Sequence, residues 1–386
     1  MTALWSAPLQ ADLAVVGGGV VGLGIADEAR RRGLRVVLVD QEDRPTGASV
    51  RNFGHGCLTA QSGVALAYAA VARERWLTLR DEAGIWVGET GTVVVARAED
   101  ERAVLEEFAQ LRGDQTVQLL SSDQVRERVP VSGQDLRGGA LLPRDVRIDP
   151  RQAVPALATY LAGNGVDLRW STAAVGVEPG LLRTNRGDIH ADAIVVATGH
   201  DLQRLFPAVA ETAGMRRSTL QMLRLAVPGG LTITPAVLTG TSLLRYSGFA
   251  TCPSLADVRH RLETTRPELV THAVNHMLTQ LPSGDLLVGD THRYEVSPAP
   301  FADEDLDELL LAETRRLLGR DDLVVRQRWL GTYAWAPGTE YVAATPMAGV
   351  RTVSVVSGIG MTTAFGLAAA VVDDLFSPVL AAAQLS

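Results

Sequence analysis

Three glycines and one aspartate set out the first chemistry. Gly17, Gly19 and Gly22 stand in the spacing G-x-G-x-x-G, and Asp40 follows 18 residues after the last of them. Glycine at the first position lets the chain turn tightly out of a strand. At the second it lets backbone approach a pyrophosphate, and at the third it lets a helix press onto a strand. The helix N-terminus that must follow would offer unpaired N–H groups and a positive dipole end to phosphates. A carboxylate at the end of the next strand would accept hydrogen bonds from a ribose. These types in this order point to a bound dinucleotide.

The groups available to handle a second molecule are cations and aromatics. Arg51 and His55 lie in a polar, glycine-rich stretch over residues 41–62, and His55 sits between Gly54 and Gly56, a bare backbone for a core histidine. Stretches this long without an element of their own are usually functional or disordered. Arg216, Arg217, Arg224, Arg245, His292 and Arg293 could hold an acidic group, because an arginine fork matches carboxylate and phosphonate alike. Each arginine could equally be a solvated surface group. Tyr333 and Trp335 could wall a pocket or pack in a core. Lysine is absent, so all 36 Lys+Arg positions are arginine. That excludes Schiff-base chemistry, pyridoxal phosphate and the lysine of a Walker-type phosphate loop.

The elements that must position these groups read as follows. Residues 12–40 are strand, glycine turn, helix and strand, with near-continuous apolar strands of the kind a parallel sheet buried on both faces requires. Helices are expected over residues 66–82, 99–111, 150–163 and 303–318. Residues 85–96 carry a hairpin signature, and Ser283, Gly284 and Asp285 form a turn between two apolar runs. Short strands are expected over 166–177 and 181–199. Residues 352–375 read as strand, glycine turn and helix. Nucleotide-fold segments therefore recur at the start, middle and end of the chain. The expected organisation is a discontinuous nucleotide-binding domain (10–84, 140–215 and 340–386) with a second domain built from two insertions (85–139 and 216–339).

One glycine fingerprint without a second one for NADPH, together with the long 41–62 stretch, favours a resident flavin over a nicotinamide pair. Gly17, Gly19, Gly22 and Asp40, then Gly47, Ala48 and Ser49, and the late run 358–362 (Gly-Ile-Gly-Met-Thr) resemble the D-amino-acid-oxidase and sarcosine-oxidase-like superfamily of FAD enzymes. The likeness runs over nearly the whole chain in the expected order. Residues 48–54 (Ala-Ser-Val-Arg-Asn-Phe-Gly) resemble more narrowly a branch associated with aminophosphonate metabolism. The resemblance implies an α/β fold: a Rossmann-like FAD-binding domain of glutathione-reductase type with an inserted, mixed, largely antiparallel β-sheet substrate domain. It implies that Gly17, Gly19 and Gly22 hold the pyrophosphate and Asp40 the adenosine ribose. Ser49, Arg51 and Asn52 would run beside the isoalloxazine, Val175 would offer backbone to the adenine, and Gly199 would close the strand under the cofactor. Gly358, Gly360, Met361 and Thr362 would bring a turn and a helix N-terminus to the flavin pyrimidine, where a dipole stabilises developing negative charge.

Two departures from the family pattern matter. Cys57 and Cys252 are the only cysteines, so the cysteine tether of some relatives, placed just before the late flavin segment, is missing. Non-covalent FAD is expected, with His55 the one histidine candidate for a link. The lysine that relatives use to promote reaction with oxygen is also missing. Arg51, or a protonated His55 or His292, could supply that charge. The resemblance implies oxidation of a small zwitterionic amine at carbon–nitrogen, by hydride transfer to flavin N5. The favoured substrate is an aminophosphonate or its N-methylated form, with oxygen or another acceptor taking the electrons. Arg51, His55, His292, Tyr333 and Trp335 are the residues expected at the reacting end. A secondary amino acid oxidase, a flavin monooxygenase and a nucleotide-binding subunit of a larger dehydrogenase are the competing readings.

A net charge of -8 advertises no nucleic-acid surface. No metal is expected, because the cysteines offer no zinc spacing. Residues 352–372 carry no charge, yet their serines, threonines and glycines argue for strand and buried helix over a membrane span. The first residues lack a basic segment and a cleavage site, so a cytoplasmic protein is expected.

Overall fold

The computed structural model describes residues 9–383. Residues 1–8, on which the expectation about a leader rests, lie outside the described residues, as do 384–386 of the expected first domain. Two sheets carry the structure. In the first, five parallel strands lie side by side in the order Asp167–Arg169, Val36–Val39, Leu9–Val16, Gly187–Val196 and Val350–Val355. By chain order this is 3-2-1-4-5. The direction of winding reverses between the first and fourth strands, which opens a crevice at their carboxyl ends. The strand Val36–Val39 is buried throughout, as its unbroken apolar run requires. Ala174–Glu178 and Leu181–Thr184 extend the sheet as an antiparallel edge, and Tyr341–Met347 pairs with Val350–Val355.

Four helices cover one face. They are Val20–Arg31, Gly63–Ala83, Pro150–Gly163 and Gly360–Ala383. Their core includes Leu23, Ile25, Trp76, Leu79, Leu157 and Phe365. The first helix can reach its strand only because Gly22 has no side chain: a Cβ there would stand 1.9 Å from the Gly17 carbonyl oxygen. Gly17 itself has φ +114, a value that favours glycine. A bidentate ion pair locks the layer from inside, Arg75 Nε to Asp27 Oδ2 at 2.6 Å and Nη2 to Oδ1 at 2.9 Å. The triplet Arg30, Arg31 and Arg32 pairs with Asp27, Glu28 and Asp373, the ordinary role expected of cations at a helix end.

The second sheet has nine strands and is antiparallel except where Ala236–Leu238 runs parallel to Thr92–Ala96. That one pairing joins the two insertions into a single sheet. Arg216–Ala226 lies at its heart, paired along its length with Val324–Trp335. Met277–Gln280 and Leu286–Gly289 form the hairpin that Ser283, Gly284 and Asp285 announced. The helix Glu304–Leu318 turns Leu306, Leu310, Leu311, Leu317 and Leu318 inward and carries Glu304, Asp305 and Asp307 in its first turn, where acids suit the dipole. Among the described residues, no helix is long and apolar enough to cross a membrane.

Two expectations need correction. Residues 85–96 are not a hairpin. Val87–Gly88 pairs with Val146–Ile148 in a separate three-stranded sheet, while Thr92–Ala96 enters the nine-stranded one. Local turn chemistry around Gly88 and Gly91 was real, but the partners came from elsewhere in the chain. Residue 140 is not a boundary either. It sits inside Gly138–Leu142, a strand of the second sheet.

Two helices meet backbone to backbone at Gly366, where a Cβ would stand 2.3 Å from the Tyr68 Cα. Gly366→Ala should therefore force Gly63–Ala83 and Gly360–Ala383 apart and destabilise the protein by about 1–3 kcal/mol. Urea denaturation checks this; an unchanged midpoint would show that these helices can part without loss.

Candidate active site

A cavity of about 480 Å³ begins at the crevice between the parallel strands. Its walls take in Val16, Val39, Ala197 and Val355, which end or directly follow four of those strands, as the reversal of winding dictates. From there it runs to the face of the second sheet, at Arg245 and Asp290. The first turns of two helices line it, Val20 and Val21 in one and Gly360, Met361 and Thr362 in the other. Neither first turn carries an acid, so both positive dipole ends face the cavity unopposed.

The dinucleotide end fits its expected guest. A Cβ on Gly17 would stand 2.5 Å from the Ala197 carbonyl oxygen, so only bare backbone makes this cradle. Asp40 is held at the end of its strand by accepting from Gly18 N at 2.6 Å and Glu42 N at 2.8 Å. The helix begins after Gly19, which has no side chain to cap it. Ser49 supplies the missing acceptor, its Oγ taking the Val20 N–H at 2.9 Å. Asn52 ties the same loop to itself. Its Nδ2 donates to Ala48 O and Ser49 O, and its Oδ1 accepts from Gly54 N. Asn52 lines the cavity with all of these polar bonds turned back on its own loop.

Most of the residues named from the sequence meet at this cavity. Gly17, Gly19, Asp40, Ser49, Arg51, Asn52, His55, Gly199, His292, Tyr333, Gly358, Gly360, Met361 and Thr362 all line it. Three do not. Gly22 serves packing alone. The Val175 side chain is 62% exposed, and Thr172 and Ala174 line the wall beside it. Trp335 stacks its ring 4.6 Å from Tyr294, outside the cavity wall. Of the arginines proposed as acid anchors, Arg217, Arg224 and Arg293 are paired with Asp201, Asp285 and Asp303. Arg216 is exposed on its strand. Arg245 alone among them reaches the cavity.

Arg245 is placed by the short helix Gly240–Leu243 that precedes it. Its Nη2 donates to Tyr333 Oη at 3.0 Å and to Ser357 O at 2.5 Å. Burial opposes its charge, yet the surrounding Tyr333, Tyr294, Tyr246 and Asp290 raise its pKa and keep it a cation. Tyr333 uses a lone pair to accept from Arg245, which leaves its own O–H free to donate. Asp290, buried at the end of Leu286–Gly289, went unnoticed in the sequence as part of a substrate end. Burial pushes its carboxyl up to about 7, against the pull of Arg245. His292 donates Nδ1–H to Ala273 O at 2.9 Å, because a carbonyl can only accept. Burial and then Arg245 push its pKa down to about 3, so it is neutral. The expectation that a protonated His292 supplies positive charge is thereby corrected. Only tertiary burial decides that, and no spacing in the sequence signals it.

His55 belongs to a second buried group. Thr92 donates its hydroxyl to Asp145 Oδ2 at 2.8 Å, so it must accept from His55 Nε2–H at 2.6 Å. The remaining Nδ1 has no partner. Cys57 joins His55 and Asp145, all three donor atoms within 4.8 Å, a spacing a metal could bridge. Against that use, Asp145 already accepts from Thr92 and from Thr59 N, and burial pushes the Cys57 thiol up, away from the thiolate a metal needs.

Residues 12–374 match the family described as FAD dependent oxidoreductase. The chain is 28% identical over 233 residues to an opine oxidase subunit of Rhizobium meliloti, covering 55% of this chain and 63% of that one. It is 30% identical over 212 residues to glycine oxidase of Geobacillus kaustophilus, covering 50% and 56%. These matches thus span less than two thirds of either relative. The crystal structure of the Geobacillus kaustophilus glycine oxidase superposes with a TM-score of 0.78 over 96% of this chain and 95% of that one, at 21% identity, a likeness of fold. With the glycine cradle, the two helix ends and a family match over nearly its whole length, the chain belongs to the FAD-dependent oxidoreductases.

Proposed function

We propose that the protein oxidises the carbon–nitrogen bond of a small zwitterionic amine, with an aminophosphonate or its N-methylated form as the favoured substrate. The observation that carries this reading is the pair of opposite charges at the far end of the cavity, Arg245 and Asp290. A molecule with an acid at one end and an amine at the other answers both. Bound FAD would accept the hydride from the carbon next to nitrogen. Gly17, Gly19 and the helix turn after them would hold its pyrophosphate, Asp40 its ribose, and the loop with Ser49 and Arg51 its ring. Arg245 would grip the acid through its fork, and the free Tyr333 O–H would add a third contact. Three acceptor oxygens and more negative charge make a phosphonate the better guest for that set, and the run 48–54 supports the same branch. A sarcosine-like secondary amino acid is the alternative. With lysine absent and His292 neutral, Arg245 and Arg51 are two cations on the cavity wall that would favour electron transfer to oxygen.

The purified protein should be yellow, and acid precipitation should leave the flavin bands in the supernatant. A colourless protein that cannot be reconstituted with FAD, or flavin retained in the pellet, would count against non-covalent FAD. Without air, 2-(methylamino)ethylphosphonate should bleach the bound flavin faster than sarcosine or glycine. Bleaching by NADPH without any amine would favour a monooxygenase, and bleaching by no amine at all would sink the proposal. Arg245→Met should raise KM for the acidic amine by about 30-fold, the loss of about 2 kcal/mol that a charged hydrogen bond carries. Arg51→Ala should keep its flavin and lose kcat on the order of 100-fold, the size of one removed electrostatic contact; unchanged turnover would place Arg51 away from the reacting face.

A further inference from the structure

We infer that Asp290 is the amine-recognising residue of this site: its carboxylate accepts an N–H of the substrate's ammonium and then takes that proton, leaving the neutral amine. The inference rests on the amine-oxidation reading above and adds what the nitrogen end must be.

Asp290 is 6% exposed, yet it lines the cavity. Its backbone is fixed on both sides, N to Asn275 O and O to Asn275 N, each at 2.8 Å. The backbone that carries the carboxyl is therefore held in place. Oδ1 has no hydrogen-bond partner. Arg245, the nearby cation, gives its Nη2 to Tyr333 and Ser357. A buried carboxylate oxygen without a donor is costly unless something arrives to pair with it.

The other oxygen faces a group that cannot help. Oδ2 lies 3.6 Å from His292 Nε2. Since His292 is neutral with its proton on Nδ1, Nε2 presents a lone pair. Two acceptors facing each other disfavour the ionised carboxylate and invite a proton. The charged and titratable groups around Asp290 are Arg245, His292, Tyr246, Tyr294 and Tyr333. Of these only Arg245 is a fixed cation, and burial outweighs both it and the Asn275 side-chain amide beside the carboxyl, so the carboxyl titrates near neutrality. A proton acceptor poised there matches the task, because hydride can leave the carbon only when the nitrogen lone pair is free. The step balances simply: the ammonium loses one proton, Asp290 gains it, and no electrons move.

The substrate must then carry at least one N–H on its cation. Primary and secondary ammonium groups qualify, and a quaternary trimethylammonium does not. The charge sign also sets a pH dependence. Above about pH 7 Asp290 is ionised and pairs with the ammonium; below it the carboxyl is already protonated and binding must expel that proton.

The test uses the FAD-loaded protein and two probes. In 2-amino-2-methylpropylphosphonate the carbon next to nitrogen bears no hydrogen, so it binds without being oxidised. In 2-methylpropylphosphonate the amine is absent, so it reports the phosphonate's own titration. Calorimetry in buffers of different ionisation enthalpy should show the amine probe releasing about one more proton than its control at about pH 6, and none extra at about pH 8. Its affinity should fall about tenfold per pH unit below about pH 7. Asp290→Asn should bind the amine probe at least tenfold more weakly at about pH 8, lose the slope, and leave the control unchanged. An Asp290→Asn protein that binds the amine probe as the parent does, with the same slope, overturns the inference. So does the parent protein alone if no extra proton leaves at about pH 6, whether or not the variant folds. If the FAD-loaded parent binds the control and the amine probe equally, Asp290 is not the amine site even if amines bleach the flavin. If it binds neither and no amine bleaches the flavin, the amine-oxidation reading itself has fallen and takes this inference with it.

Discussion

Backbone pressed against backbone at the first turn is the constraint on which the rest depends. Gly22 lies over the Gly17 carbonyl oxygen so closely that a Cβ would reach within 1.9 Å. That contact sets the angle at which the helix Val20–Arg31 leaves the strand Leu9–Val16. The angle aims the helix N-terminus at the crevice where the parallel strands reverse their winding. It also fixes where Ser49 must stand to take the Val20 N–H, and so where the loop holding Arg51 and Asn52 begins. A larger side chain at either glycine would move all of these together.

The cavity is a seam between two sheets that do different things. The parallel sheet contributes strand ends, bare backbone and two helix dipoles, which suit phosphates and flat rings. The antiparallel sheet contributes Tyr333 and, at the end of a strand, Asp290, while the turn after Gly240–Leu243 contributes Arg245. Gly358 shows how closely the halves meet: a Cβ there would lie 3.1 Å from the Tyr333 ring and 3.2 Å from the Arg245 guanidinium. The late flavin segment and the acid anchor thus share one wall. The absence of lysine gives this wall its character. An arginine fork stays charged when buried, whereas a buried ammonium readily loses its proton. The same preference shows in Arg75, which holds Asp27 bidentately inside the helical layer.

Elements defined by neighbours in the chain were legible in advance. The helix Pro150–Gly163 begins at a proline and ends where apolar periodicity stops, and its bounds agree with the expected ones. The hairpin around Gly284 was equally local. The errors arose where pairing was long-range. Val87–Gly88 and Thr92–Ala96 look like two arms of a hairpin, yet each finds its partner far along the chain, Val87 at Ile148 and Thr92 at Leu142, in different sheets. Trp335 lost its place because Tyr294, on the strand across Arg216–Ala226, claimed its ring.

The sequence by itself determined the nucleotide cradle, the family and the absence of lysine chemistry. All three follow from residue types at short, fixed spacings, which covalent geometry converts directly into shape. Only the tertiary structure decided which of the arginines faces inward, that Asp290 joins it, and that His292 is neutral. Those answers depend on burial, and burial is set by strands that meet from distant parts of the chain. Arg224 and Arg245 are the same residue type 21 positions apart. Arg224 stands on a strand and is paired with Asp285, whereas Arg245 follows the short helix Gly240–Leu243, whose packing turns it into the cavity.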